Sequence, residues 1–461
     1  RLEGDRVAER IWARDESVWP APPTGSARAK DRLGWLSLPE TMEATGMAAQ
    51  SATGTLLGQE LKRSVLLGMG GSVLAARTLQ ADIVARARLR VLDTIEPSSI
   101  ARLEQNGLPL RRLLVIVSSK SGTTPETLAL ETYFRGKSGR AQSGDQARGF
   151  VAITDEGTPL AARVAEFQRV FRAPSDVGGR FSALSEFGLV PAALMGLDVA
   201  RLSESARSMA AACQAPGQQN PGLRLAAALA TQARAGRDKL TLITTPSLRP
   251  LAQWVEQMVA ESLGKNGRGL IPVTREPLYD AASYGPDRQF VYMRLGEKGL
   301  GGERFADAQA TDALAHSLEA SGQPVMRLDL ADRYAVAGEF FRWEFATAVA
   351  AHLLGVYPFD EPDVASAKAK AQQVLGHGWA PAVPERTLYG GVEYLLRQRR
   401  PGDYFSIIVY APESESFDRA VASLREGITG RTGMATTFAY GPRYLHSTGQ
   451  LHKGGPDNVL A

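Results

Sequence analysis

From Ser64 onward, short apolar runs alternate with longer, helix-like segments. The runs fall at Val65–Gly68, Leu89–Asp93, Leu113–Val117, Phe150–Thr154 and Arg169–Arg172, then at Leu240–Thr244, Phe290–Leu295 and Val325–Leu330. Alternation of this kind predicts parallel sheets with helices packed on both faces. Leu251, Trp254, Val255, Met258 and Val259 follow i, i+3, i+4 spacing and predict an amphipathic helix over about 248–263. A mostly apolar helix is expected over about 338–355. A strand at Tyr404–Tyr410, a helix near 416–427 and a strand at Ala435–Tyr440 close the chain. The stretch CQAPGQQNPG (213–222) reads as a linker, and the polar GKSGRAQSGDQARG (136–149) as an exposed loop. The expected organisation is α/β: a helical segment over 1–60 broken at Pro20, Pro22 and Pro23, a first lobe over 61–212, a second over 223–375, and a smaller C-terminal α/β region over 376–461.

Composition narrows the function classes. At 461 residues, with 44% apolar and 22% charged residues, the chain is an ordinary multi-domain globular protein. Its formal charge is +4, with no long run of one sign, which favours a small acidic ligand over nucleic acid. Cys213 is the only cysteine, so an intrachain disulfide and a Cys-cluster zinc site are both excluded, and a reducing, cytoplasmic setting fits. The longest apolar stretch, Phe345–Tyr357, contains Thr347 and His352 and is shorter than the ~20 residues a membrane helix needs. The chain opens on RLEGDRVAER, without an apolar signal core or an initiator methionine, as expected of a fragment or processed half of a longer polypeptide. No HExxH, EF-hand loop or Gly-x4-Gly-Lys-Ser/Thr loop is present, which leaves no metal set and argues against a phosphate-loop ATPase or kinase.

Two loops carry candidate anion-binding chemistry. LLGMGGS (66–72) joins a strand to a helix, and Gly68, Gly70 and Gly71 let backbone amides approach a ligand closely. A tight turn, a dinucleotide site with Asp93 as the ribose-binding acid, and another phosphate ligand all remain open for it. Val73 occupies the position where a dinucleotide fingerprint has its third glycine. VSSKSGTTPET (117–127) is more specific. Five hydroxyl side chains fall between Ser118 and Thr124, and Thr124 and Pro125 suit the N-cap and first position of a helix. The hydroxyls of Ser119, Ser121 and Thr124, with the free amides of the helix start, would make a neutral basket for a phosphate. Two loops at the carboxyl ends of parallel strands face one crevice.

Gly-x-Gly-Gly-Ser followed by Ser-Ser-Lys-Ser-Gly-Thr-Thr-x-Glu-Thr resembles the sugar isomerase (SIS) fold, in particular the glucose-6-phosphate isomerase family. GGRFSALSEFGL (178–189), EQMVAESLGKNGRGLIPV (256–273) and YPFDEPDVASAK (357–368) are similar to further segments of that family. FAYGPRYLHSTGQLHKGG (438–455) resembles the isomerase half of bifunctional transaldolase/glucose-6-phosphate isomerase proteins. The resemblance implies two SIS-type lobes, a sugar phosphate substrate, an aldose–ketose isomerisation without a cofactor, a cytoplasmic homodimer, and fusion to an upstream transaldolase half. No nucleic-acid or membrane partner is implied.

Such an isomerisation needs a base for the proton beside the carbonyl, a cation for the enediolate oxygen, and an acid/base pair to open the sugar ring. By spacing alone Glu261 could form an i, i+4 surface pair with Lys265. The resemblance instead places it on the base of a Glu-Ser-x-Gly-Lys motif, with an apolar wall expected to raise its pKa. It places Gln257 on a phosphate-contacting glutamine, Arg180 on the enediolate-stabilising arginine and Lys368 on the ring-opening lysine. Gly178 and Gly179 are expected to let the backbone bend and aim Arg180 into the crevice. Gly71, Ser72 and Lys120 complete the expected substrate-binding set with Ser119, Ser121, Thr124 and Gln257. Of the histidines at 316, 352, 377, 446 and 452, His446 heads a His-x3-Gln segment similar to the family's catalytic histidine. In ordinary members that histidine precedes the lysine and comes from the neighbouring subunit. Here it follows Lys368, so a relocated histidine element is expected, with its own or a neighbour's site left open.

Overall fold

The computed structural model describes residues 2–23, 25–57, 63–80, 89–105, 112–138, 147–296, 302–377 and 391–461. In the first lobe, strands β1 (Arg63–Leu67), β2 (Leu89–Leu92), β3 (Leu113–Ser118), β4 (Phe150–Asp155) and β5 (Arg169–Ala173) form a parallel sheet in the order β2-β1-β3-β4-β5. Every residue of β3 and β4 is buried, whereas edge strands β2 and β5 carry exposed Arg90, Arg169 and Arg172. A parallel strand covered on both faces needs an unbroken apolar run, and only an edge strand can present charge to water. In the second lobe, β6 (Lys239–Thr244), β7 (Ile271–Val273), β8 (Arg288–Leu295) and β9 (Val325–Leu330) pair in parallel in the order β7-β6-β8-β9. A third parallel sheet, β11-β10-β12, comprises β10 (Tyr404–Val409), β11 (Thr436–Tyr440) and β12 (Val459–Leu460). The α/β reading of the sequence holds throughout. The additions are β7 and β12, of three and two residues, too short to show a period.

One hydrophobic core runs through both large lobes. At its centre the Ala335–Leu354 helix packs against the Val199–Ala212 and Pro221–Arg234 helices. Trp343 on that helix is fully buried, and nearly all of its faces are covered, which explains its all-round apolar sequence. The N-terminal segment belongs to the same core. Val7, Ile11 and Trp35 are inaccessible, and the Trp19 indole donates to the Ala348 carbonyl at 2.8 Å. The 213–222 stretch, expected as a linker, is a packed turn. The Asn220 side chain donates to the carbonyls of Cys213 (2.6 Å) and Ala215 (3.0 Å) and accepts from the Leu223 amide, capping the next helix. Of the polar 136–149 insert, residues 139–146 lie outside the described residues, and 136–138 end the Pro125–Ser138 helix. No described helix is long and apolar enough to cross a membrane.

Candidate active site

The strand order of the first lobe reverses between β1 and β3, because β1 leads to β2 on one side and β3 lies on the other. At such a switch point the loops leaving the two carboxyl ends diverge and open a crevice. Here that crevice is the 68–72 and 119–124 loops, tied together by the Ser118 hydroxyl donating to the Ser72 carbonyl at 2.8 Å. It opens into a cavity of about 620 Å3, within the ~300–1,000 Å3 of small-molecule sites. Gly71, Ser72, Lys120, Ser121, Thr124, Arg180, Gln257, Glu261 and His446 all line this one cavity.

Some of these residues act differently from the sequence expectation. Ser119 is fully buried beneath the loop, its hydroxyl donating to the Thr124 hydroxyl at 3.0 Å, so it orients Thr124 rather than facing the cavity. The Lys120 amine pairs with Asp155. Gly70 and Gly71 serve close packing of protein loops: a Cβ on Gly71 would collide with the Gly179 carbonyl oxygen, and one on Gly70 would lie 2.5 Å from that of His446. Asp93, the alternative ribose acid, is 1% exposed and pairs with Arg77 and Arg443, which removes it as a ribose acceptor.

Arg180 sits on a single 3-10 turn, Gly179–Phe181, just after β5. Neither Gly178 nor Gly179 has a positive φ, so the expected sharp bend at these glycines is absent; the turn is set by its approach to Gly71. The guanidinium is buried and fixed on every side. Nε donates to the Ser262 hydroxyl at 2.7 Å, and the terminal nitrogens reach Glu361 at 2.9 Å, Glu261 at 3.4 Å and the carbonyls of Pro358 and Asp360. A planar cation held this way has little freedom to reorient when charge develops beside it.

Glu261 and Gln257 lie one turn apart on the Arg249–Leu263 helix, buried on the same face. The expected apolar wall around Glu261 is a polar one. Gln257 donates to Glu261 at 3.3 Å and to the His446 carbonyl at 2.8 Å, and Arg180 lies opposite. The surface pair with Lys265 does not form. The Lys265 amine is buried and donates to Asp360 Oδ1 at 2.7 Å and to the Tyr357 carbonyl at 2.8 Å. Burial, followed by the nearby Arg180 charge, pulls this amine down to about 8.

His446 ends a 3-10 turn, Arg443–His446, that follows β11, and it enters the cavity of its own chain. Its Nε2 lies 2.9 Å from Glu126 Oε1. Glu126 had no assigned role in the sequence reading; it stood inside the conspicuous Ser/Thr motif as an ordinary first-turn acid. A carboxylate on one ring nitrogen fixes the imidazole orientation. Lys368 lies on the Pro362–His377 helix, which begins at the cavity with Pro362, Val364 and Ala365; its side chain lies outside the described residues. The remaining described histidines are elsewhere. His352 Nδ1 meets the Val18 carbonyl at 2.6 Å, His316 Nδ1 the Asp312 carbonyl at 2.7 Å, and His452, lowered to about 4 by burial, the Tyr404 hydroxyl at 3.2 Å. Among the described residues, no group of three or more His, Cys, Asp or Glu side chains could hold a metal ion.

A family model described as phosphoglucose isomerase matches residues 44–270. A probable glucose-6-phosphate isomerase of Natronomonas pharaonis is 32% identical over 356 residues, covering 70% of this chain and 82% of that protein. The chain belongs to the phosphoglucose isomerase family. A glucose-6-phosphate isomerase of Heliobacterium modesticaldum is 30% identical over 388 residues, covering 74% of this chain and 87% of its own. Among solved structures, a hypothetical protein from Thermus thermophilus superposes with a TM-score of 0.68 at 27% identity, covering 80% of this chain and 94% of that one. A glucose-6-phosphate isomerase from Chlamydia trachomatis shares the fold, with a TM-score of 0.67 at 20% identity, covering 86% of this chain and 87% of its own. Membership makes the chain an aldose–ketose isomerase.

Proposed function

We propose that the chain interconverts glucose 6-phosphate and fructose 6-phosphate through a cis-enediolate. Ser121 and Thr124, with the backbone of Gly71 and Ser72, hold the phosphate, Ser119 keeps Thr124 in orientation, and Lys120, tied to Asp155, borders the same cavity. His446, oriented by Glu126, and Lys368 open the ring by moving a proton between the ring oxygen and the anomeric hydroxyl. Glu261 then takes the proton from the second carbon and returns it to the first, while the hydroxyl proton moves the same way, from the oxygen on the second carbon to the oxygen on the first. Arg180 balances the negative charge on the enediolate oxygen. The proton stays within the substrate–enzyme pair and no net redox change occurs, so no cofactor enters the scheme. Holding the phosphate tail fixes the reacting carbons against Glu261, an effect that lowers a barrier by up to about 7–11 kcal/mol.

The observation that carries this reading is the shared cavity. A carboxylate and a guanidinium 3.4 Å apart line the same space as the Ser121–Thr124 hydroxyl loop. The expectation of a homodimer rested on a histidine from a neighbouring subunit; His446 lines its own chain's cavity, so the proposed site makes no such demand. A cytoplasmic setting and fusion to an upstream transaldolase half stay in the proposal, the latter on the resemblance of residues 438–455 alone. The test is Glu261→Gln, which keeps the shape and the hydrogen bond from Gln257. Turnover in a coupled assay should fall about a thousandfold, with sugar phosphate affinity by calorimetry within about threefold of wild type. Turnover within tenfold of wild type would remove Glu261 as the base, and a wild type that binds without turnover would leave a binding module.

A further inference from the structure

His446 reaches the cavity on a segment that shares no strand pairing with the first lobe. Its own sheet, β11-β10-β12, is separate from β2-β1-β3-β4-β5, yet its partner Glu126 stands on a first-lobe helix. Something must set the distance between them. Toward the second lobe, Gln257 donates to the His446 carbonyl. Toward the first lobe the charged link is Arg443, three residues before His446, whose Nε lies 3.4 Å from Asp93 Oδ2.

Asp93 is a fixed anchor. It directly follows β2, is 1% exposed, and its other oxygen pairs with Arg77 from the helix after β1. Burial alone would push its carboxyl up, but Arg77 and Arg443 outweigh burial and hold it below the usual carboxylate range. Arg443 is 15% exposed and also pairs with Glu413, whose backbone carbonyl accepts from Arg102 of the first lobe at 2.7 Å. Asp93 and Glu413, with Arg77, Arg102 and Arg443, thus join the lobe to the histidine segment; the Asp93 end of this network is buried, and there an ion pair is weakly screened.

We propose that Arg443 is a positioning residue for the isomerisation: its pairing with Asp93 docks the His446 segment onto the first lobe and sets the His446–Glu126 contact. This rests on the reading of His446 as a ring-opening group. Arg77 still neutralises Asp93 when Arg443 is removed, so the substitution leaves no unpaired acid in the interior.

The experiment compares kcat, KM and the thermal midpoint of the full chain for Arg443→Met, Arg443→Lys, His446→Ala and the Arg443→Met/His446→Ala double variant, with glucose 6-phosphate as substrate. Arg443→Met should lower kcat about 10- to 100-fold with KM within about threefold, since misplacement by about an ångström costs that much. Arg443→Lys should recover part of the loss. The double variant should be no slower than His446→Ala alone, because the arginine acts only through the histidine. An unchanged kcat in Arg443→Met beside a slow His446→Ala would overturn the proposal, as would losses that multiply in the double variant. A His446→Ala enzyme as fast as wild type would instead remove the reading beneath it, and the proposal with it.

Discussion

The two large lobes follow one topological plan and use it at opposite ends. β2-β1-β3-β4 in the first corresponds to β7-β6-β8-β9 in the second, each with its order reversing beside the first strand. In the first lobe the reversal opens at the carboxyl edge, and the 68–72 and 119–124 loops that line the cavity sit there. In the second lobe the β6–β8 pairing continues past the end of β6: the Thr245 amide donates to the Met293 carbonyl at 3.2 Å, and the Leu295 amide to the Thr245 hydroxyl at 3.1 Å, so the two strand ends are tied together there. That lobe contributes instead through the Arg249–Leu263 helix, which returns the chain to the amino edge and delivers Gln257 and Glu261 near its end. A loop of hydroxyls and amides suits an anion that must be positioned. A helix suits a base that must be held to a fraction of an ångström, because packing locks its rotamers.

That division of labour can be broken experimentally. The largest effect after loss of Glu261 is expected from Gly71→Ala. The new Cβ would collide with backbone at Gly179 and displace Arg180, so kcat should fall about a hundredfold. Retained activity would show that the glycine loop does not set the guanidinium. Thr124→Ala removes one of the proposed phosphate donors and should raise KM about tenfold at nearly constant kcat. A selective kcat loss would instead move the 119–124 loop from positioning to chemistry. The smallest effect concerns Glu256, on the same helix as Glu261 but lining a narrow cleft against residues 438–447. Burial, only partly offset by the Thr274 hydroxyl and by Arg275, Arg425 and Arg443, raises its carboxyl to about 7 from 4.5. The native state therefore binds this proton more tightly than the unfolded chain. Its contribution to stability is full below about pH 4.5 and is lost as pH rises through about 7. Glu256→Gln keeps an acceptor for Thr274 and deletes the titration. The thermal midpoint should gain about 2 °C more at pH 8 than at pH 5, a small difference because water reaches the cleft. An equal gain at both pH values would mean that Glu256 ionises normally.

Much of the fold was legible because of where the strands sit. β3 and β4, covered on both faces, read as unbroken apolar runs, and the Arg249–Leu263 helix shows its 3.6-residue period. β7 and β12 carried no signal, and the packed turn at 213–222 looked like a linker because its Pro, Gly and Asn content is the same in either case. The site was legible as residue types. Glu261, Arg180, Thr124 and His446 could be singled out, but Ser119 facing inward and the pairing of Glu126 with a histidine 320 positions away could not. Nor could Lys265 binding Asp360, rather than Glu261, follow from helix spacing.

Taken alone, the amino-acid sequence determined the local matter: which stretches are strands, which loop bears hydroxyls before a helix start, and which helix face carries an acid one turn after a glutamine. These follow from periodicity and backbone preferences that act over a few residues. Only the tertiary structure decided which groups face each other: Arg180 between Glu261 and Glu361, Asp93 between Arg77 and Arg443, His446 against Glu126. Hydrogen bonds and ion pairs act across a few ångströms of space, and that proximity is set by how three sheets pack, which no local pattern encodes.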